Sequence, residues 1–122
     1  PTGELTLRQL QGILKLLDVD ITFIDKDDIL RYFINEGKIF SRPLSALGRE
    51  VYNCHPPEII PVVRQLLLDF KAKKRTHMEV YRRIMGRPVG VRYAAVYDAD
   101  GEYMGAVEFV QDYQKALDKF QK

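Results

Sequence analysis

Cysteine is nearly absent: Cys54 is the single one in 122 residues. One thiol cannot build an internal disulfide framework, and its scarcity suits a cytoplasmic, reducing setting. No apolar run approaches the roughly 20 residues needed to cross a bilayer, and no signal-peptide pattern opens the chain, so no membrane partner is expected. Charge of one sign is lacking as well. The formal net charge is +2 and the basic residues form no long run, which leaves nucleic acid without its electrostatic footprint. Gly-rich phosphate loops, Ser-His-Asp sets, paired-carboxylate motifs, internal repeats, low-complexity tracts and linkers are all missing. No enzyme activity is expected on this basis. What the chain does have is apolar content, 46%, enough for one core and one domain spanning residues 1–122. It begins at Pro1 without an initiator Met and ends inside a helical pattern, which predicts a domain excised from a longer protein.

In chain order, Thr6 to about Leu17 reads as a helix. Thr6 as N-cap and Gln9 three positions on form a capping box, with Leu5 and Leu10 as a hydrophobic staple. Leu10, Ile13, Leu14 and Leu17 make one apolar stripe, expected to lie on a sheet or on a partner chain. Val19 to Asp25 and Ile29 to Ile34 read as strands joined by Lys26-Asp27-Asp28, an antiparallel hairpin. Residues 35–38 break the pattern, and 39–47 read as irregular or single-turn helical pieces. A long helix follows to about Lys74, its regular part starting near Ile60. Ile59, Val63, Leu66, Leu67 and Phe70 form one face, and Lys71, Lys73, Lys74 and Arg75 a solvated C-terminal end. Three strands complete the sheet: Thr76 to Met85, Val89 to Asp98 and Tyr103 to Gln111, with turns at Gly86-Arg87-Pro88 and Ala99-Asp100-Gly101. Asp112 is placed to cap a closing helix with Tyr113, Ala116, Leu117 and Phe120 on one face. Strands in runs, without βαβ alternation, predict an α+β fold with an antiparallel sheet.

Between the strand pattern and the long helix lies Gly48-Arg49-Glu50-Val51-Tyr52-Asn53-Cys54-His55-Pro56-Pro57, where proline flanks a histidine and the only cysteine. Adjacent side chains diverge, so Cys54 and His55 do not form a nucleophile–base pair by themselves. Cys54, His55 and His77 do not cluster at metal spacing, so no metal site is expected. The plain reading is that His55 fastens the turn by hydrogen bonds and the prolines stiffen it.

The order of these elements resembles that of the PAS family, over residues 10 to 115. The resemblance rests on Asp25-Lys26-Asp27-Asp28, on Gly48-Arg49, on His55-Pro56 leading into the long helix, on Asp98-Ala99-Asp100-Gly101-Glu102 between the last strands, and on Asp112. The combination Gly48-Arg49-Glu50, Asn53-Cys54-His55-Pro56-Pro57, Arg92-Tyr93 and Gln111-Asp112 is similar to one PAS subfamily, found C-terminal in bacterial and archaeal proteins that carry a hemerythrin-like domain. Pro61, and Tyr113-Gln114 where Ile-Thr is usual, depart from the family pattern. The resemblance implies a five-stranded antiparallel sheet of order 2-1-5-4-3. Helices would cover one face over a ligand pocket, and flanking terminal helices (1–18 and 112–122) would adjoin the 19–111 core. It also implies sensing of a small molecule, relay to a neighbouring domain of the full-length protein, and a homodimer through the terminal helices. A ligand-free assembly module is the alternative, with Phe23, Phe33 and Phe40 as candidates to fill its pocket; a Cys-based redox protein using Cys54 and His55, with an unusually reactive thiol, is a third reading.

Several residues could carry chemistry under that resemblance. Period-2 alternation puts Met104, Ala106, Glu108 and Val110 on one face, which the resemblance turns toward the pocket. A carboxylate there needs a partner or a proton. Tyr93, with Val89 and Val91, would form a pocket wall and Arg92 would face away. Val63 and Leu67 on the long helix, with Cys54 and His55 in the turn, complete the candidates. Haem needs one axial histidine. In PAS haem sensors that ligand sits on the long helix, and residues 58–74 hold none, which leaves His55 as the weak candidate. Asn53-Cys54 echoes the flavin-cysteine run of light sensors, but His55-Pro56 follows, so no such photosensor is expected. Arg82, Arg83 and Arg92 are read as cross-strand partners of Glu79 or Glu108 in preference to an anion site.

Overall fold

The computed structural model describes residues 2–34 and 43–121, and Cys54 by its backbone only. Helix α1 is Leu7–Leu16. The capping box forms as read: the Gln9 amide donates to Thr6 Oγ1 at 3.1 Å and the Thr6 amide to Gln9 Oε1 at 2.9 Å. Its apolar stripe is not laid on the protein's own sheet. No residue of α1 is buried, and Leu10, Ile13 and Leu17 stay 41%, 45% and 42% exposed.

Strands β1 (Asp20–Asp25), β2 (Leu30–Phe33), β3 (His77–Ile84), β4 (Arg87–Tyr97) and β5 (Tyr103–Asp112) form one sheet in the order β2-β1-β5-β4-β3. Every pairing is antiparallel. The turn between β3 and β4 is tighter than the sequence suggested. Met85 and Gly86 form it alone, both at positive φ (53° and 79°), the combination of a type I′ turn whose twist matches the flanking strands. Arg87 and Pro88 therefore belong to β4. Pro88 is tolerated because the β4–β5 pairing ends at Val89↔Asp112, one residue short of the position whose donor proline lacks. Asp112 closes β5. One carboxylate oxygen accepts the Gln114 amide at 2.9 Å and the other pairs with Arg87. These two contacts hold the Asp112 carboxyl below the ordinary aspartate range and start helix α3, Gln114–Phe120.

Helix α2 runs Ile60–Lys71. Pro61 falls in its first turn, where the missing N–H has no partner to lose. Ile59 is the residue before the helix and is exposed, so it drops out of the apolar face. The helix stops at Lys71 and not Lys74 because Lys73 turns left-handed (φ 59°). The Lys73 and Lys74 amides then donate back to Phe70 O and Asp69 O at 3.2 and 2.9 Å, a Schellman ending. Val63, Leu66, Leu67 and Phe70 are buried against Ile24, Val51 and Ala106. Two short 3₁₀ turns, Leu44–Ala46 and Val51–Cys54, complete the cover. No described helix is long and apolar enough to cross a membrane.

Candidate functional site

Register builds the floor of the site. Thr22 of β1 lies opposite Glu108 of β5, Glu108 opposite Tyr93 of β4, and Tyr93 opposite Met78 of β3. Alternation then turns this whole row toward α2. Ile24, Leu30, Val51, Val63, Leu66, Leu67 and His55 wall the space above it. Five of the six sequence candidates thus converge: His55, Val63, Leu67, Tyr93 and Glu108. The Cys54 side chain lies outside what is described. Met104 does not join the inward row: the pairing shifts from Val96↔Gly105 to Tyr97↔Tyr103, so Met104 is the extra residue of a bulge and is exposed, and Tyr103 packs on the core in its place. Thr22 was missed; its signal is the alternation Asp20, Thr22, Ile24, legible only once the β1–β5 register is known.

The enclosed space is small. It leaves about 10 Å³ for the centre of a water molecule, enough for about one. A second crevice of the same size, about 10 Å³, lies on the other side of Glu108 beside Asp20, Phe33 and Val110. Phe33 therefore faces inward, but it lines this second crevice and not the pocket under α2. Phe23 does not face inward, because its neighbours Thr22 and Ile24 hold the inward positions of β1, and Phe40 lies outside the described residues. Glu108 is 8% exposed in largely apolar surroundings, where an unpartnered carboxylate would be costly. Glu108 and Tyr93 each have an interaction partner within the protein.

His55 fastens the turn. Its Nδ1 lies 3.0 Å from Val51 O, and since a carbonyl only accepts, Nδ1–H is the donor. We expect His55→Ala to lower stability by about 1–2 kcal/mol, read from urea unfolding. A change near zero would show that the turn stands without this bond. A haem does not fit here: the bond to Val51 leaves Nε2, the nitrogen an axial ligand would use, but the space beside the ring has room for about one water, not a macrocycle. Among the described residues, no three His, Cys, Asp or Glu side chains converge as a metal site.

A polar clasp below the pocket was not foreseen. Asp28, at φ 64° in the β1–β2 turn, accepts from Tyr52 Oη at 2.8 Å and pairs with Lys71 Nζ at 3.0 Å. Its carbonyl accepts the Val51 amide at 2.8 Å. The clasp joins the hairpin, the second 3₁₀ turn and the end of α2. Burial, then the bond to Asp28, pushes the Tyr52 hydroxyl up to about 12. Lys71 and Arg75, read as a solvated end, are in fact ion-paired, with Asp28 and Asp69 at 3.0 Å each.

On the opposite face of the sheet Arg92 pairs with Glu79 at 3.6 Å and lies over Phe109, the cross-strand pairing expected of it. Arg82 faces the other way, so the three arginines form no anion site. Arg92, Phe109 and Gln111, with Val19 and Tyr113 at the roots of α1 and α3, line an open groove of about 190 Å³.

The comparisons with known proteins agree with this geometry. A family model described as PAS domain matches residues 10–114. The crystal structure of a C-terminal domain from Streptococcus mutans superposes with a TM-score of 0.85 at 32% identity, over 97% of this chain and 94% of that one. The PAS domain of a Colwellia psychrerythraea protein (TM-score 0.63, 13% identity, 89% and 98% covered) and that of Bordetella pertussis BvgS (0.60, 19%, 93% and 95%) share the fold. No curated protein matches the chain. With the sheet order, the covered pocket and the family model in agreement, the chain belongs to the PAS domain family.

Proposed function

We propose that this PAS domain is a cytoplasmic sensory module that takes a small molecule between sheet and helices and relays its presence to a neighbouring domain. One observation carries the reading: a buried carboxylate, Glu108, sits between Thr22 and Tyr93 on the floor of a pocket walled mainly by aliphatic side chains. Few polar groups among apolar walls is the usual composition of a ligand site. The ligand is small and donates a hydrogen bond to Glu108. With room for one water in the closed state, binding moves the wall formed by Val51 and His55. The domain works without catalysis. Its dimer forms through the terminal helices, supported by the uncovered stripe of α1 and the open groove between the helix roots. Membership of the subfamily C-terminal to hemerythrin-like domains is part of the proposal; it rests on the sequence resemblance, and the similar domain from Streptococcus mutans is likewise a C-terminal one.

The test is native mass spectrometry of the purified chain, with an absorbance scan across the near-ultraviolet and visible on the same sample. The expected result is a retained small molecule, reduced about tenfold or more in Glu108→Gln, the scale of losing a hydrogen bond to a charged group. A second reading, an assembly module with a self-filled core, is favoured by the small size of the cavity. An unliganded mass in both proteins, with no absorbance band, selects it and overturns the first.

A further inference from the structure

The sheet has two edges, and they are unlike. At the β2 edge, the Leu30 amide donates to Arg49 O and the Gly48 amide to Leu30 O at 2.9 and 2.8 Å, so the segment before the pocket covers the Leu30 end of that four-residue strand. At the other edge, β3 is eight residues long, carries no proline, and ends the sheet among the described residues.

Which groups that edge presents follows from the ladder. The Ala95 amide donates to Thr76 O at 2.9 Å, and these two residues extend the β3–β4 register, so they form a hydrogen-bonded pair. Bonding alternates along an antiparallel ladder. Met78, Val80, Arg82 and Ile84 therefore spend their amides and carbonyls on β4. The two-residue turn agrees, since it is closed by Ile84↔Arg87. Glu79, Tyr81 and Arg83 consequently direct their amides and carbonyls outward. Their side chains share the face that holds Arg92, because Glu79 lies opposite Arg92 and Tyr81 opposite Gly90.

We propose that the β3 edge pairs antiparallel with β3 of a second copy of this chain, joining two sheets into one. Outward groups must meet outward groups, which restricts the register. One arrangement places Tyr81 opposite Tyr81 of the second copy on the two-fold axis and sets Glu79 opposite Arg83 twice. It satisfies the outward amides and carbonyls of all three residues on each strand, and it puts both charge pairs at directly opposed positions. The neighbouring registers lose this match: one sets His77 against Arg83, the other Arg82 against Arg82. Edge charges ordinarily block pairing; here they admit one register and penalise the others. Tyr81 is held for the role, its ring 6.2 Å from that of Tyr113 over Gly90, where even a Cβ would come within 2.7 Å of both rings. The contact uses none of the residues of α1 or α3 and goes beyond the helical dimer.

The experiment is sedimentation equilibrium on a Leu10→Glu, Leu17→Glu background, which removes the helical contact and isolates the edge. That background should dimerise within ~5 to ~500 μM, as weak, small interfaces do. Glu79→Arg or Arg83→Glu alone should raise Kd by about tenfold or more, because symmetry turns two attractive pairs repulsive at once. The double exchange should return Kd to near the starting value. Hydrogen exchange gives an independent readout: the amides of Glu79, Tyr81 and Arg83 gain protection with concentration, while those of Val80 and Arg82 are protected throughout. A chain that stays monomeric over this range overturns the proposal, including one whose edge pairs only with an added foreign strand. A Kd indifferent to the single exchanges overturns it as well.

Discussion

Gly105→Ala is expected to cost about 2–6 kcal/mol of stability, in a region with no cavity to fill and no polar bond to break. Two effects add. Gly105 has φ 148°, where an L side chain is strained by roughly 1–3 kcal/mol. A Cβ there would also sit 2.2 Å from the Ile24 carbonyl oxygen and 3.0 Å from Asp25 Cα. Both contacts are backbone of the paired strand β1, so relief requires moving one strand from the other, on the scale of a further ~1–3 kcal/mol for overpacking. Gly86→Ala is the control. Its φ is 79° with nothing within 4 Å of the added carbon, so strain alone acts and the loss should be about 1–2 kcal/mol. Urea unfolding of both variants separates the two contributions. Equal losses would show that β1 gives way without cost.

Phe70→Ala should destabilise by a similar ~3–5 kcal/mol through the opposite mechanism, since a fully buried ring leaves a cavity that the surroundings close only in part. Phe70 is 0% exposed and packs in the cluster of Ile24, Val51, Leu66, Leu67 and Ala106. Collapse is restrained on its own helix, because the Phe70 carbonyl accepts from Tyr97 Oη at 2.7 Å and the helix end is clasped to Asp28 through Lys71. For a domain whose total stability is typically ~5–15 kcal/mol, such a loss takes a large share. Thermal and urea unfolding read it, and a loss below about 2 kcal/mol would mean that α2 slides to refill the space.

Alternation put Met104, Ala106, Glu108 and Val110 on one face of β5 and the PAS resemblance turned that face inward; the structure buries the last three, while the bulge at Met104 breaks the pattern in a way no local signal shows. Tyr93 was placed inward by the register that the resemblance implies, and it lies opposite Glu108. The capping box of α1 was legible because its bonds close within three residues. The Met85–Gly86 turn was placed one residue late at its start and two at its end, since Pro88 reads as a turn former and only the pairing end at Val89 shows why a strand accepts it. The end of α2 was placed too late because no glycine marks Lys73, which adopts the left-handed conformation regardless. Asp28 reaching Tyr52 and Lys71 joins positions far apart in sequence, and no local pattern encodes that. Nor does any pattern encode the size of the pocket, which is a small difference between large side-chain volumes.

The floor of that pocket crosses a seam in the order of assembly. β3, β4 and β5 follow one another through short turns, so their pairing is local and closes at little entropic cost. β1 must find β5 from the other end of the chain: Asp20 pairs with Val110 and Thr22 with Glu108. Non-local pairings of this kind set folding rates. The row Thr22–Glu108–Tyr93 is therefore completed only when the N-terminal hairpin docks, after the strand carrying Glu108 has left the ribosome. The same hairpin carries Asp28, which holds Tyr52 and Lys71, so its docking completes the floor of the pocket and fastens the cover above it together.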